Sequence, residues 1–243
     1  MIRVGVIGHR GRMGSESCRA IEGDPDLELV AKVGRGDDLA ALTQTKTEVA
    51  VEFSTPQSVR GNVRFCIDNG VHAVVGATGL DATALQEIRE SLKEGGANVF
   101  VAPNFALGAV LMMSFARQAA RYYDVAEIVE RHHDKKLDAP SGTALRTARM
   151  MTDAAGGPMV RPPGTESVTG SRGGDAGGVR VHSLRLPGSV AHQEVVFGGT
   201  GETLTIRHDS LDRASFMPGL TLAIKEVVKR PGLTVGLEHL LDL

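Results

Sequence analysis

Tryptophan is missing from this 243-residue chain, and only two Tyr and seven Phe stand for the aromatic residues. Recognition surfaces built on aromatic anchors or base stacking need more of them. Neither sign of charge dominates: 27 Lys and Arg face 29 Asp and Glu, a net charge of −2. That balance argues against a nucleic-acid partner, which calls for a basic excess, and against attachment to a membrane through a polybasic surface. Cysteine is scarce. Cys18 and Cys66 form no C-x-x-C pair, so neither a metal site nor a disulfide framework is expected, and both read as buried free thiols. Long apolar runs are absent too: no stretch approaches the ~20 residues that span a bilayer, and the best candidate, around 105–120, contains Arg117 and Gln118. The first residues lack a signal-peptide layout, since Gly8 breaks the apolar run and no Ala-x-Ala site follows. A reducing, cytoplasmic setting is the expectation.

Glycine, in contrast, is plentiful, at 30 of 243 residues. Many glycines beside few aromatics point to tight backbone turns close to a ligand. Along the first hundred residues short apolar runs alternate with helical patterns. Strands are expected over 2–7, 27–33, 48–53, 71–75 and 98–102, with helices over 12–22, 37–42, 56–69 and 81–93 between them. Such alternation implies a Rossmann-like parallel sheet covered by helices, an α/β fold. Beyond Pro103 the pattern changes: helix over 107–122, strand over 125–131, helix over 141–154, then a loop over 156–178 rich in Gly and Pro. Three alternating segments, 179–186, 190–197 and 203–207, read as an antiparallel array within the mixed or antiparallel sheet of a second, α+β domain, and 216–228 as a closing helix. The expected division is 1–105 with 216–243 for dinucleotide binding, and 106–215 for substrate binding and oligomerisation.

The first turn carries a nucleotide signal. Gly8-His9-Arg10-Gly11-Arg12-Met13-Gly14 follows the first strand and opens the first helix, with the spacing G-x-x-G-x-x-G. Small residues let the backbone approach a pyrophosphate, and the helix start supplies N–H groups and a positive dipole end. Arg10 and Arg12 could add cationic contacts. An acidic residue would be expected some 20 positions on to hold the ribose hydroxyls of NAD; Gly34 and Arg35 stand there instead, with Asp37 and Asp38 just beyond. An Arg in that place can accept a 2′-phosphate, while Asp37 or Asp38 could take the acidic role from a slightly longer loop. Gly76-Ala77-Thr78 and Ala102-Pro103-Asn104-Phe105 end the fourth and fifth strands, in the layer where such sheets bind the rest of the cofactor.

A polar segment in the second half carries the chemistry. Glu127 to Ala144 reads Glu-Ile-Val-Glu-Arg-His-His-Asp-Lys-Lys-Leu-Asp-Ala-Pro-Ser-Gly-Thr-Ala. Gly142 and Thr143 fall in the first turn of a helix, where free N–H groups bind anions. His132, His133 and Lys136 supply donors and positive charge, a set suited to a carboxylate-bearing substrate and a proton transfer. A solvated polar loop is the alternative reading; Lys135 reads that way in either case. A metal site is disfavoured because adjacent His residues at a strand end point to opposite faces.

These eighteen residues resemble the signature of the 4-hydroxy-tetrahydrodipicolinate reductases, also called dihydrodipicolinate reductases. The likeness extends over nearly the whole chain, through the Gly8 turn, Gly76-Ala77-Thr78-Gly79, Ala102–Phe105 and Ala191-His192-Gln193-Glu194, and is nearest to actinobacterial members through 208–213 and 231–237. The resemblance implies an enzyme that transfers hydride from NADPH or NADH to a cyclic dicarboxylate, giving tetrahydrodipicolinate for diaminopimelate and lysine. It implies His132 as proton donor or acceptor, Lys136 as proton donor, and His133, Gly142 and Thr143 as holders of a substrate carboxylate. It also implies a homotetramer formed through the second-half sheet. Two departures stand out: Ala77 replaces a Thr common in the family, and Gly34 replaces its acidic ribose holder. Rivals fail on single features. A semialdehyde-type dehydrogenase needs a cysteine nucleophile in the second half, and none follows Cys66. A nucleotide sensor would not need the 132–143 cluster.

With Arg35 near the ribose, NADPH is expected to serve at least as well as NADH. Steady-state kinetics test this: a kcat/KM for NADH exceeding that for NADPH by more than about tenfold, or about 1.4 kcal/mol of transition-state stabilisation, overturns the expectation.

Overall fold

The computed structural model describes residues 1–241. Two units separate in it, Met1–Leu107 with the segment from Arg213 onward, and Gly108–Asp212. The chain order is β1 (Ile2–Ile7), α1 (Arg12–Glu22), β2 (Leu27–Val33), α2 (Ala40–Gln44), β3 (Val49–Glu52), α3 (Val59–Asp68), β4 (His72–Val75), α4 (Ala82–Ser91) and β5 (Val99–Val101). Next come α5 (Leu107–Ala119), β6 (Val125–His132), α6 (Gly142–Ala155), β7 (Gly174–Ala176), β8 (Val179–Arg185), β9 (Ala191–Gly199) and β10 (Glu202–Ser210). A short 3₁₀ turn then leads to α7 (Met217–Val227) and β11 (Leu233–Val235).

The first unit is a six-stranded sheet in the order β11-β5-β4-β3-β1-β2, with every neighbouring pair parallel. All four residues of β3 and the last four of β1 are buried, as strands covered on both faces must be. Their Val and Ile side chains suit this, since β-branching stiffens an extended backbone and fills both faces. The helix α7 returns to this unit through Leu220, Ala223, Ile224 and Val227, all buried. Asn98 fastens the return: its amide donates to the Val227 carbonyl at 2.9 Å, and its oxygen accepts the Gly232 N–H at 3.1 Å. On the surface, Lys225 reaches Asp24 and Asp26 at 2.9 and 2.7 Å. Both cysteines are buried and free, and burial pushes the Cys66 thiol up to about 12, which leaves it inert.

The second unit is a five-stranded sheet in the order β10-β9-β6-β8-β7. One face packs on α5 and α6 through Ala116, Ile128, Ala148, Met151, Val181 and Phe197. In β6 the buried residues alternate as Ala126, Ile128 and Glu130. The opposite face carries Val129, Arg131, Glu194 and Arg207 and stays partly exposed.

Three details differ from expectation. The second sheet is mixed, one of its two expected forms, but its last strands do not form one antiparallel run: β6 lies between β8 and β9, parallel to the first and antiparallel to the second. The Pro187-Gly188 turn therefore carries the chain across β6 instead of closing a hairpin, a long-range pairing to which local alternation is blind. Within the expected loop 156–178, Gly174–Ala176 adds an edge strand to β8. Elsewhere in that loop the Glu166 carboxylate accepts the N–H groups of Gly170 and Arg172, and the Val160 N–H donates to the Asp124 carbonyl at 2.8 Å. Lastly β11, only three residues long, pairs with β5 beyond the expected closing helix.

Glu52 ends β3 at 1% exposure. Its Oε1 accepts Ser54 N–H and Asn62 Nδ2 at 3.1 and 3.0 Å, while Oε2 has no partner. Burial raises its carboxyl above the ordinary range, and the bonds from Ser54 and Asn62 only partly oppose this. A raised carboxyl stabilises the fold in its protonated form, so that contribution is lost as pH rises above the unfolded value of about 4.3. Glu52→Gln, which cannot ionise, should unfold at higher urea than the parent near neutral pH, and the gap should close below about pH 4. A gap that does not narrow on acidification overturns this assignment.

Candidate active site

In the first unit the glycine turn is built by contacts that exclude side chains. Gly8 sits at φ +84°, and a Cβ there would lie 2.5 Å from the Phe53 carbonyl oxygen. Gly14 passes so close to Gly8 that a Cβ would fall 2.2 Å from its carbonyl oxygen. Gly11 caps α1 without offering a side-chain acceptor, and no acidic residue stands in the first turn. The leading N–H groups of this helix are thus left for an anion, and the dipole favours one.

A cavity of about 570 Å³ opens beside this turn. Gly8, Arg10, Gly11, Gly34 and Arg35 line it, as the motif requires. His9, Arg12 and Met13 belong to the same turn and helix start without lining the cavity. Ser58 and Asn62 at the start of α3 also line it. They lie outside the glycine motif; the spacing Ser54-Thr55-x-x-Ser58 ahead of a helix was the available signal.

Where an acidic ribose holder would stand, Gly34 makes room for two other side chains. A Cβ on Gly34 would lie 3.0 Å from Arg10 Cζ and 3.1 Å from Asp37 Oδ2. Asp37 Oδ2 accepts the Gly34 N–H at 2.7 Å and pairs with Arg10 Nη2 at 3.3 Å. Both a carboxylate and a guanidinium therefore meet at the end of β2.

The other turns lie past β4 and β5 and do not line this cavity. Ala102 and Phe105 are buried, and the Asn104 side chain accepts the Ala106 N–H at 2.9 Å, so these residues offer backbone rather than side chains. Ala77 and Thr78 follow Gly76 at the end of β4. The missing side chain at Gly76 has a packing cause: a Cβ there would fall 2.1 Å from the Phe53 ring and 2.8 Å from that of Phe105. Those rings meet edge-on with centroids 5.9 Å apart.

In the second unit the end of β6 turns on one carboxylate. Glu130 is completely buried. Its Oε1 accepts Arg185 Nη2 at 2.8 Å and the Ser141 N–H at 3.1 Å. Its Oε2 accepts Arg185 Nη1 at 3.0 Å and His132 Nδ1 at 2.5 Å. Burial alone would raise this carboxyl, but bonds from His132, Arg185 and Ser183 outweigh it and hold the group down at about 2. Arg185 also donates to the Asp138 carbonyl at 2.6 Å.

The start of α6 is drawn to the same place. Ser141 caps it, its Oγ accepting the Ala144 N–H at 3.2 Å. Gly142 is exposed, and a Cβ there would meet nothing within 4 Å. Thr143 is held through its carbonyl, which accepts Thr147 Oγ1, itself bonded by Gln193 Nε2 at 2.7 Å. Lys136 pairs with Asp138 Oδ1 at 2.7 Å and holds that carboxyl below its ordinary range. His133 is half-buried at the head of this loop. The structure thus joins His132 and the helix start at Gly142 through Glu130. The sequence reading missed Glu130 and Arg185. Glu130 was legible in principle, two residues before His132 on one strand face; Arg185 was not, because only the β6–β8 register sets it opposite His132.

A parallel sheet whose first helix starts bare beneath a glycine turn serves a pyrophosphate, and this fits a dinucleotide. The class follows: an NAD(P)H-dependent oxidoreductase of two units. Comparison with known proteins narrows it. Residues 2–105 match the family model "Dihydrodipicolinate reductase, N-terminus", and 108–241 the corresponding C-terminus. The 4-hydroxy-tetrahydrodipicolinate reductase of Nocardia farcinica is 55% identical over 100% of this chain and 99% of its own. That of Mycobacterium marinum is 53% identical over the full length of both. Among solved structures, a dipicolinate-bound dihydrodipicolinate reductase from Paenisporosarcina superposes with TM-score 0.89 at 38% identity, covering 98% of this chain and 99% of that one. The chain belongs to the dihydrodipicolinate reductase family. An amine dehydrogenase from Mycobacterium smegmatis, at 14% identity and TM-score 0.66 over 96% of this chain and 94% of its own, shares the fold alone.

Proposed function

We propose that the chain reduces 4-hydroxy-tetrahydrodipicolinate, a six-membered cyclic dicarboxylate, to tetrahydrodipicolinate on the route to diaminopimelate and lysine. In net terms the ring gains a hydride and a proton and loses its hydroxyl as water. The observation that carries this reading is the open helix start at Gly142, joined through Glu130 to His132. NAD(P)H, when bound, supplies the hydride. The protein's residues do the rest. N–H groups of Gly142 and Thr143, with the dipole of α6 and the His133 ring, hold one substrate carboxylate. Negative charge that develops on the conjugated ring is met by Lys136, which leaves Asp138 to do so. His132 exchanges a proton at Nε2.

The roles divide between residues 1–105 with 216–243, which hold the dinucleotide, and 106–215, which hold the substrate and join subunits. On the dinucleotide side the backbone of the Gly8 turn takes the pyrophosphate, while the turns at Gly76 and Ala102 face the nicotinamide with main-chain groups. Arg35, with Arg10 beside it on the same cavity, meets a 2′-phosphate, and Asp37, already fixed by the Gly34 N–H, accepts ribose hydroxyls when that phosphate is absent. The pair supports use of both NADPH and NADH.

The functional form is a homotetramer in the cytoplasm. Support comes from the polar face of the second sheet, where Arg207 pairs with Asp209 and approaches Glu194 and where Val129 is only partly buried. Among the described residues no helix is long and apolar enough to cross a membrane.

Two measurements test these statements. With the product of a dihydrodipicolinate synthase present, NADPH absorbance should fall, and Lys136→Ala should lower kcat by on the order of 10²-fold or more. No oxidation of either cofactor refutes the reductase reading, and an unchanged kcat removes Lys136 from it. Light scattering should return four times the 25.6 kDa chain mass; a monomer refutes the assembly.

A further inference from the structure

We infer that Glu130 is a positioning residue of the reaction: it fixes the His132 ring with Nδ1 protonated and Nε2 turned to the substrate, and through Arg185 and Ser141 it fixes the helix start that receives the carboxylate. This deepens the reductase reading above and rests on it.

An ionised carboxylate has about four lone-pair sites and no proton to give. Glu130 meets a donor at each, two on each oxygen, with Arg185 and Ser141 on Oε1 and Arg185 and His132 on Oε2, and the Ser183 side chain adds a further bond. At full burial no water makes up a missing bond. Since Glu130 can only accept, the hydrogen between it and the imidazole belongs to Nδ1. A neutral ring has one N–H, so Nε2 keeps its lone pair, and Nε2 is the nitrogen through which the ring gains or loses a proton. The same device, a buried acid on the far side of a catalytic imidazole, sets tautomer and direction in hydrolase triads.

Arg185 gives the arrangement its balance. An unaccompanied buried carboxylate would bind the imidazolium and hold it charged. The guanidinium fork neutralises that charge, so the ring can pass between its two forms. The groups facing Glu130 and His132 are Arg185 and Ser183 on β8, Ser141 at the cap of α6 and Gln193 opposite in register on β9, with His133, Lys136 and Asp138 in the loop that follows His132. Arg185 also spans to the Asp138 carbonyl, so one fork pins strand, loop and helix start together.

An amide cannot replace this acid. In either orientation a glutamine side chain at this position would turn its NH₂ group toward Arg185 and one further donor, leaving buried donors opposed. Glu130→Gln should therefore lower kcat by on the order of 10²-fold or more and displace the acid limb of the pH–rate profile. NADH binding, followed by fluorescence titration, should be unchanged. Glu130→Asp, still an all-acceptor carboxylate, should recover part of kcat and return the limb toward its parental position. A purely structural role would lower the melting temperature and leave the limb in place. A folded Glu130→Gln protein with kcat within about threefold of the parent and a superposable profile overturns the inference. Should that variant not fold, ¹⁵N-imidazole NMR of the unaltered protein decides, with His132→Gln identifying the signals. A pyrrole-type Nδ1 and pyridine-type Nε2 support the inference; the opposite tautomer overturns it. If the unaltered enzyme oxidises neither cofactor, the reductase reading fails, while the NMR result still decides how the ring is held.

Discussion

The ionised side chain of Glu130, enclosed in protein, is the constraint on which the second unit is organised. A carboxylate out of contact with water must be met by donors or it will take up a proton. Here the donors come from three separate elements: the ring of His132 on its own strand, the fork of Arg185 on β8, and the Ser141 N–H that opens α6. Satisfying one buried charge therefore aligns the His132 imidazole with the start of α6. Removing the Arg185 fork would leave this buried charge without its cationic partner, at a cost of about 3–5 kcal/mol. Function and folding make the same demand of these residues.

The dinucleotide unit works on another principle. Its first turn offers main chain to the cavity, and glycine appears where a side chain would collide. Gly8 and Gly14 let the turn close beneath the helix, and Gly76 admits two phenyl rings. Gly34 belongs to neither group. Its bareness admits the Arg10–Asp37 pair, so a carboxylate and a guanidinium share the place where one acidic side chain would otherwise stand. The sheet beneath holds these turns in one layer, because all its strands run parallel and end on the same side.

Local chemistry was readable from the chain alone. The strands Ile2–Ile7 and Leu27–Val33 and the helix Arg12–Glu22 lie where apolar runs and glycine breaks put them. So does the helix start after Pro140-Ser141, because a capping Ser and a helix-ready sequence act within one turn. Pairings across the chain were not readable. Alternation in 179–186 and 190–197 foretold strands, but nothing local says that β6 lies between them. The three-residue β11 is too short to leave a periodic signal, and it exists because the edge of β5 is there to pair with.

By itself, then, the sequence determined the family and the segments that bear its polar and glycine signals: the glycine turn, the two histidines, Lys136 and the helix start at Gly142. These signals are local, set by side-chain size, backbone freedom and spacing within a turn or strand. Only the tertiary structure decided the company each one keeps. Arg185 stands opposite His132 because of a sheet register formed between strands some fifty residues apart. Asp37 meets Arg10 because a loop folds over a bare Gly34. Those partners depend on hydrogen bonds and burial between distant segments, and such forces leave no mark on the sequence nearby.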